Sequence, residues 1–357
     1  MSNKNIKLLL ATRAMESPPY EGGFVLLSDI AGSVPIQTIF ELSMFSVRKK
    51  SSTINAERVF SKTGWGNLSK LQFPIGLWRT AHKYRIVHTA HIPSKNNVQI
   101  IKFSITRART NGTKFIQTIT GLPRVDNEGL KALLWGDSIV CQSPSVYERV
   151  CKISDKPVHL IIPWPSPKRL KFASINRQKT RNKFLRGKEH LVVFPGEFER
   201  MAIGTDFSEC LKEFFILKPN SLVVLACRFD NIGVADRIVK KFPGQVVSLG
   251  QTSNIIDIIG AADLVLFPTK KMDEKFHPPL IIMEALSLGV PTLISDKIDL
   301  NESVSNLLKK ISSEAGWKEF ARVMHSTIET TGFSGENSTV RFDKMIKAYK
   351  KLYGTYI

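Results

Sequence analysis

Acidic residues are in short supply in this sequence. Its 357 residues set 31 Asp and Glu against 51 Lys and Arg, a formal net charge of +20. A surplus of that size implies a negatively charged partner, whether lipid headgroups, nucleic acid or a phosphorylated substrate. Cysteine is scarce as well: Cys141, Cys151, Cys210 and Cys227 show no Cys-x-x-Cys spacing and no His/Cys cluster. That excludes a disulfide-stapled mini-protein, argues against a zinc site, and makes a reduced, cytoplasmic compartment the natural setting for four packing residues. Long apolar runs are missing too. The stretch Ile6 to Ala11 is too short and wrongly flanked for a signal peptide, and no run reaches the roughly 18 residues of a membrane span. Any membrane contact is therefore expected to be peripheral, at the inner face. What is present is ordinary for a folded protein: 43% hydrophobic and 23% charged residues, with length for about two domains.

The charge is unevenly placed. Residues 1–163 hold 22 basic and 10 acidic side chains, 164–189 hold 9 and 1, and 190–357 hold 20 and 20. The two halves are thus expected to face different partners, with the basic first half toward the anion. Pro163-Trp-Pro-Ser-Pro167 is turn-forming and leads into Lys168 to Lys188, nine basic residues without an acid. The connection between the domains is placed there, as a basic linker over 164–189 that is either a solvated face or an anion-contacting surface. A first domain over 1–163, a second over 190–337 and a final helix over 338–357 complete the division.

Short apolar or β-branched runs alternate with segments of helical length. Ile6 to Ala11, Arg85 to His88, Lys114 to Thr118 and Ser138 to Cys141 read as strands, with Phe24 to Ile30 as a helix after a Gly22-Gly23 loop. The rhythm restarts with His190 to Phe194, Ser221 to Leu225, Gln245 to Leu249, Leu264 to Phe267 and Thr292 to Ile294. Such alternation predicts two doubly wound α/β domains with parallel sheets. Near the end, Phe342, Met345, Ile346, Tyr349, Leu352 and Tyr353 fall on one face of a helix that must pack on something.

Ala261 to Thr269 followed by Pro279 to Ser295 resembles the donor-domain signature of the large retaining glycosyltransferase family with the GT-B fold (glycosyl transferases group 1). That pattern is a strand ending in Pro-Thr, a loop, a helix carrying Glu-Ala-Leu, and Gly-x-Pro before the next strand. More weakly, Gly22-Gly23 resembles the family's glycine loop, Leu160 to Pro163 the strand closing its first domain, and Phe342 to Tyr353 its last helix, which crosses back to that domain. The resemblance implies two Rossmann-like domains, acceptor first and nucleotide-sugar donor second, with the site in the cleft between them. It implies donor binding by Gly22, Gly23, Arg228, Gly250, Gln251, Leu280 and Glu284, with Glu284 on the ribose hydroxyls. A helix N-terminus with free N–H groups favours the donor diphosphate, and Gly22 and Gly23 admit close backbone approach, although a Gly-Gly pair also serves as a plain turn.

Three departures from the family pattern stand out. The first of two glutamates expected with seven residues between them is replaced by Phe276, leaving Asp273 and Glu274 nearby, of which Glu274 is the candidate to reach the sugar. In Gly196 to Gly204, Glu197 and Ile203 stand where Arg and Lys are expected, so Arg200 or Arg228 must neutralise the leaving diphosphate. Thr120 replaces a histidine. Arg200 and Glu274 are accordingly the expected catalytic residues, and His91 and Thr120 the expected acceptor contacts; His88 and His91 are open to acceptor contact or to burial with hydrogen bonds.

The expected activity is retaining transfer of a sugar from a UDP- or GDP-linked donor to a glycan or lipid-linked acceptor, with no metal and no other cofactor. Between Glu57 and Arg79 the aromatics Phe60, Trp65, Phe73 and Trp78 interleave with Arg58, Lys62, Lys70 and Arg79, a composition suited to an anionic membrane surface. Two alternatives stay open: a glucosyltransferase that modifies DNA, whose phosphates the basic linker would follow, and a catalytically degenerate subunit that stabilises a partner enzyme.

Overall fold

The computed structural model describes residues 6–12, 22–46, 55–58, 71–227, 230, 232–252, 254–271, 278–329 and 338–357. They divide into two compact units. One holds the described residues through Pro163 together with Arg341–Ile357, the other those from Trp164 through Val340.

The first unit is built on β1 (Ile6–Ala11), β2 (Phe40–Ser46), β3 (Asn55–Arg58), β4 (Ile86–His91), β5 (Lys114–Ile119), β6 (Ser138–Cys141) and β7 (Val158–Leu160), all parallel, in the order β3-β2-β1-β4-β5-β6-β7. The second has β8 (His190–Phe194), β9 (Ser221–Leu225), β10 (Val246–Ser248), β11 (Leu264–Phe267), β12 (Thr292–Ser295) and β13 (Lys309–Ile311), also parallel, in the order β10-β9-β8-β11-β12-β13. Each sheet grows outward from its first strand and then reverses, between β1 and β4 in one unit and between β8 and β11 in the other. Such reversal points open a crevice at the carboxyl ends of the strands, where ligands of doubly wound sheets bind.

Strands buried on both faces are continuous apolar runs, because helices cover both sides. Leu8, Leu9, Leu10 and Ala11 of β1 are fully buried, as are Val192 and Val193 of β8. In the first unit Leu9, Val87 and Phe115 pack with Phe73 and Leu77 of α2 (Gln72–Thr80) and Val98, Ile101 and Ile105 of α3 (Lys95–Thr110). The second unit sets Leu191, Val193, Val224 and Val265 against Ile258 and Ile259 in a helix over Ile255–Ala261.

Three strands lie where the sequence offers no apolar run. β2 mixes Glu41 and Ser43 with its apolar residues, and β3 and β13 are sheet edges, the latter carrying Lys309 and Lys310. Charge on an edge strand discourages pairing with another chain and erases the hydrophobic signal.

The stretch 164–189 corrects the expectation of a linker. Pro167–Leu185 is one helix, α4, within the second unit. Its inner row, four residues apart, is Arg169, Ala173, Arg177 and Arg181. Ala173 meets Gly260 so closely that a β-carbon there would lie 3.2 Å from that of Ala173. Arg177 donates to the carbonyls of Gly260 and Ala262 and Arg181 to that of Ala261 at 2.9 Å, satisfying the last carbonyls of helix Ile255–Ala261. Arg181 also pairs with Asp263 at 2.7 Å, whose other oxygen accepts from the Leu191 N–H at 2.8 Å. Arginine, with several donors in one plane, suits such forked capping.

The final helix, α5 (Ser338–Gly354), lies from Arg341 onward in the first unit, and its predicted apolar stripe is buried throughout. Tyr353 hydrogen-bonds through its hydroxyl to His88 Nδ1 at 2.7 Å and meets Phe40 edge-on at 5.5 Å, while Thr118 Oγ1 occupies His88 Nε2 at 2.7 Å. Burial pushes the His88 pKa from its ordinary 6.5 down to about 3. Unfolding releases an imidazole that takes up a proton the folded protein refuses, so this group's contribution is present above about pH 6.5 and is lost as pH falls toward 3. Acid unfolding of the parent is expected to steepen, relative to His88→Gln, by at most about 1.4 kcal/mol per pH unit in that window. Parallel acid titrations of the two would contradict it.

Candidate functional site

At the reversal point of the second sheet, β8 ends in Phe194 and the chain turns through Gly196 into a short helix, Phe198–Met201. Ala202 after it holds φ at 52°, a left-handed conformation that costs a residue bearing a β-carbon roughly 1 to 2 kcal/mol. Strain of this kind gathers at functional loops. Glu197, standing where a cation is expected, pairs with Arg200 at 2.9 Å. The loop leaving β11 crosses this one: the Lys270 N–H donates to the Met201 carbonyl at 2.9 Å. Lys270 Nζ then lies 3.4 Å from Asp206 and 4.8 Å from the centre of the Trp317 ring. Burial pushes the Asp206 pKa up, but the Trp317 indole N–H, Lys270 and the Gly204 N–H outweigh it and hold the carboxyl below its ordinary value. A cavity of about 650 Å³ adjoins Asp206, lined also by Thr205, Glu209, Arg237 and Lys241. Lys270 escaped sequence reasoning; its signal is its place three residues beyond the end of β11.

Leu280 opens α6 (Leu280–Ser287), with Pro279 as its cap, and Glu284 is the fifth residue, in the body of the helix rather than at its start. Glu284 is 4% exposed, and its carboxylate accepts a hydrogen bond from Arg169 in the first turn of α4. A buried acid costs several kcal/mol unless paired, so Arg169 is what permits Glu284 here. The arginine, like Lys270, stood outside the expectations because the pair spans 115 residues of sequence. After β10, Gly250 takes φ at 58° in open space, which fits a backbone requirement for glycine, and Gln251 is exposed. Arg228 and Glu274, and with Glu274 its neighbours Asp273 and Phe276, lie outside the described residues.

The first unit gathers Gly22, Gly23, His91 and Thr120 at the carboxyl ends of β1, β4 and β5. Gly22 opens α1 (Gly22–Ala31), and a β-carbon on Gly23 would stand 2.5 Å from the Ala90 carbonyl oxygen. Gly23 is thus a packing requirement, tightening α1 onto β4, where Thr12 also donates to Ala90 O at 2.9 Å. His91 stacks on Trp135 at 6.0 Å, and Thr120 is buried with its N–H 3.5 Å from the His91 carbonyl. His88, one of the two histidines open to an acceptor role, is enclosed in the Tyr353–Thr118 network instead.

Of the aromatics between Glu57 and Arg79, Phe73 is core and Trp78 is exposed, while Phe60 and Trp65 lie outside the described residues. Trp78 and Ile75 of α2 share the outer surface of their layer with Ile100 and Phe103 of α3, all exposed. Burial first, then the charges of Arg107 and Lys83, push the His82 pKa down. Among the described residues no group of three His, Cys, Asp or Glu side chains is placed to hold a metal, and no helix is long and apolar enough to cross a membrane.

No family model matches the sequence, and no curated relative does. Solved structures match the fold over almost the entire chain. The Anabaena protein HepE, determined in complex with UDP and glucose, superposes with a TM-score of 0.69 at 14% identity, over 98% of this chain and 100% of that one. A glycosyltransferase from Rickettsia africae gives 0.65 at 13% identity over 99% of both chains. A putative UDP-N-acetylglucosamine 2-epimerase from Listeria monocytogenes gives 0.62 at 10%, over 98% and 97%. At these identities the likeness establishes the architecture, the two Rossmann-like units of the GT-B fold, and leaves chemistry to the residues.

Proposed function

We propose that this protein transfers a sugar, with retention of configuration, from a nucleoside-diphosphate donor to a lipid-linked or glycan acceptor at an anionic membrane surface. The observation that carries the reading is Glu284: a buried carboxylate, paired with an arginine, on the helix that follows the reversal-point loop of the second sheet. In this reading Glu284 accepts hydrogen bonds from the ribose hydroxyls, and Arg200 and Lys270 neutralise the departing diphosphate. The leaving phosphate oxygen takes the proton from the acceptor hydroxyl on the face it departs from, so no side-chain nucleophile is needed. The exposed Ile75 and Trp78 of α2, three residues apart and next to the exposed Arg79, support the membrane-surface acceptor.

Incubation with labelled UDP- and GDP-sugars and a membrane lipid extract is expected to move label into the lipid phase with equimolar release of UDP or GDP. Sugar released from the nucleotide but never transferred, or an epimerised nucleotide sugar, would contradict transfer. Glu197 beside Arg200 favours one second reading, a protein that holds the nucleotide without turning it over, and nucleotide binding without any release identifies it. Arg200→Ala is expected to lower kcat about a hundredfold or more, the usual loss when charge on a leaving group goes uncompensated. Its exposed ion pair is worth about 1 kcal/mol at most, so melting should barely move. Unchanged turnover would transfer the role to Lys270.

A further inference from the structure

We infer that α4 is the docking element of this protein, lying flat on an anionic lipid surface with its outer face down. The inference deepens the membrane-surface reading of the acceptor by naming the surface that engages it.

Lysine and arginine are segregated on this helix. The arginines Arg169, Arg177 and Arg181 point inward and are engaged, with Glu284, with the closing carbonyls of helix Ile255–Ala261 and with Asp263. The opposite arc, at 100° per residue, carries Lys168, Lys171, Phe172, Ile175, Lys179 and Lys183, all exposed. Four lysines therefore span about 22 Å of one helix face. No acidic residue occurs anywhere on the helix.

Midway among the lysines stand two large apolar side chains, Phe172 at 67% and Ile175 at 66% exposure, three residues apart on the same face. Water is a poor environment for that pair, and so is a phosphate backbone, which asks for donors rather than for phenylalanine. An anionic leaflet satisfies both halves of the pattern: headgroups take the ammonium ions while the ring and the isoleucine enter the acyl boundary, and the lysine stems lie along it. This chemistry selects a membrane over a nucleic acid. It also assigns part of the basic surplus to the second unit, rather than to the first domain and a linker.

The full-length chain is tested by cosedimentation with vesicles of phosphatidylcholine alone or mixed with phosphatidylglycerol. Strong binding is expected only to the mixture, weakening with salt as the Debye length contracts. Lys168→Gln, Lys171→Gln, Lys179→Gln and Lys183→Gln combined should lower the vesicle partition coefficient more than about a hundredfold, at roughly fivefold per lysine. Arg181 is left intact because it caps a helix. Phe172→Ser with Ile175→Ser should remove the binding that survives high salt. Lys309→Gln with Lys310→Gln, exposed elsewhere on the same unit, should change binding little. Unchanged partitioning of the fourfold variant overturns the inference, and so does equal binding to neutral vesicles. Loss of duplex DNA binding in the fourfold variant with vesicle binding intact overturns it in favour of nucleic acid. No donor is present in this assay, so docking that persists in a chain that binds no nucleotide sinks the transferase reading and leaves this one standing, and the reverse result does the opposite.

Discussion

Replacing Glu284 by glutamine is expected to weaken nucleotide binding ten- to a hundredfold, the loss of about 1.5 to 3 kcal/mol that a hydrogen bond to a charged group supplies. The single variant also leaves Arg169 facing a neutral amide, and breaking a buried pair from one side destabilises the fold by about 3 to 5 kcal/mol, less here because the Arg169 side chain is 21% exposed. The two effects are separable. Arg169→Gln combined with Glu284→Gln removes both charges and should recover much of the lost stability, while nucleotide affinity stays low. If affinity recovers together with stability, Glu284 only holds α4 to α6 and the ribose is bound elsewhere.

The second large effect is on stability. Tyr353→Ala should cost about 3 to 5 kcal/mol, as truncation of a buried aromatic side chain does. Tyr353 is fully enclosed, and its removal opens a void beside Phe40 and strips His88 Nδ1 of its partner. For a unit of this size that corresponds to a fall in Tm on the order of 10 °C. Tyr353→Phe keeps the ring and loses the hydroxyl, so it isolates the hydrogen bond at about 1 to 3 kcal/mol. Equal melting of the parent and the alanine variant would show that α5 is not integral to the first unit.

How much of this was legible in the sequence follows from where the signal resides. Uninterrupted apolar runs such as Leu8–Ala11 and Leu191–Phe194, short and alternating with segments of helical length, read as strands buried on both faces, and with the stripe from Phe342 to Tyr353 they announce the architecture. The helix Pro167–Leu185 was hidden because its buried face consists of Leu170, Ala173 and the stems of arginines, so no apolar period emerges from a segment that reads as a charge run. At the site, Glu284 is visible because its neighbours form a recognisable strand–loop–helix pattern. Arg169 and Lys270 are not, since what makes them matter is a partner across space, Glu284 for one and Asp206 for the other. His88 illustrates the converse: a histidine closing the apolar run Arg85 to His88 was open to acceptor contact or to burial, and only the enclosing Tyr353 and Thr118 show it to be a fastening between β4 and α5.

The central claim, that the carboxyl edge of the second sheet holds a nucleoside diphosphate, is tested most directly by the thermal stability of the full chain titrated with UDP, GDP and ADP, beside Glu284→Gln. One of the three is expected to stabilise the parent by about 2.7 kcal/mol when present at a hundred times its Kd, and at that same concentration to stabilise Glu284→Gln by at most about 1.5 kcal/mol. Absence of any shift with all three up to millimolar concentration, or an equal shift in parent and variant, would contradict it.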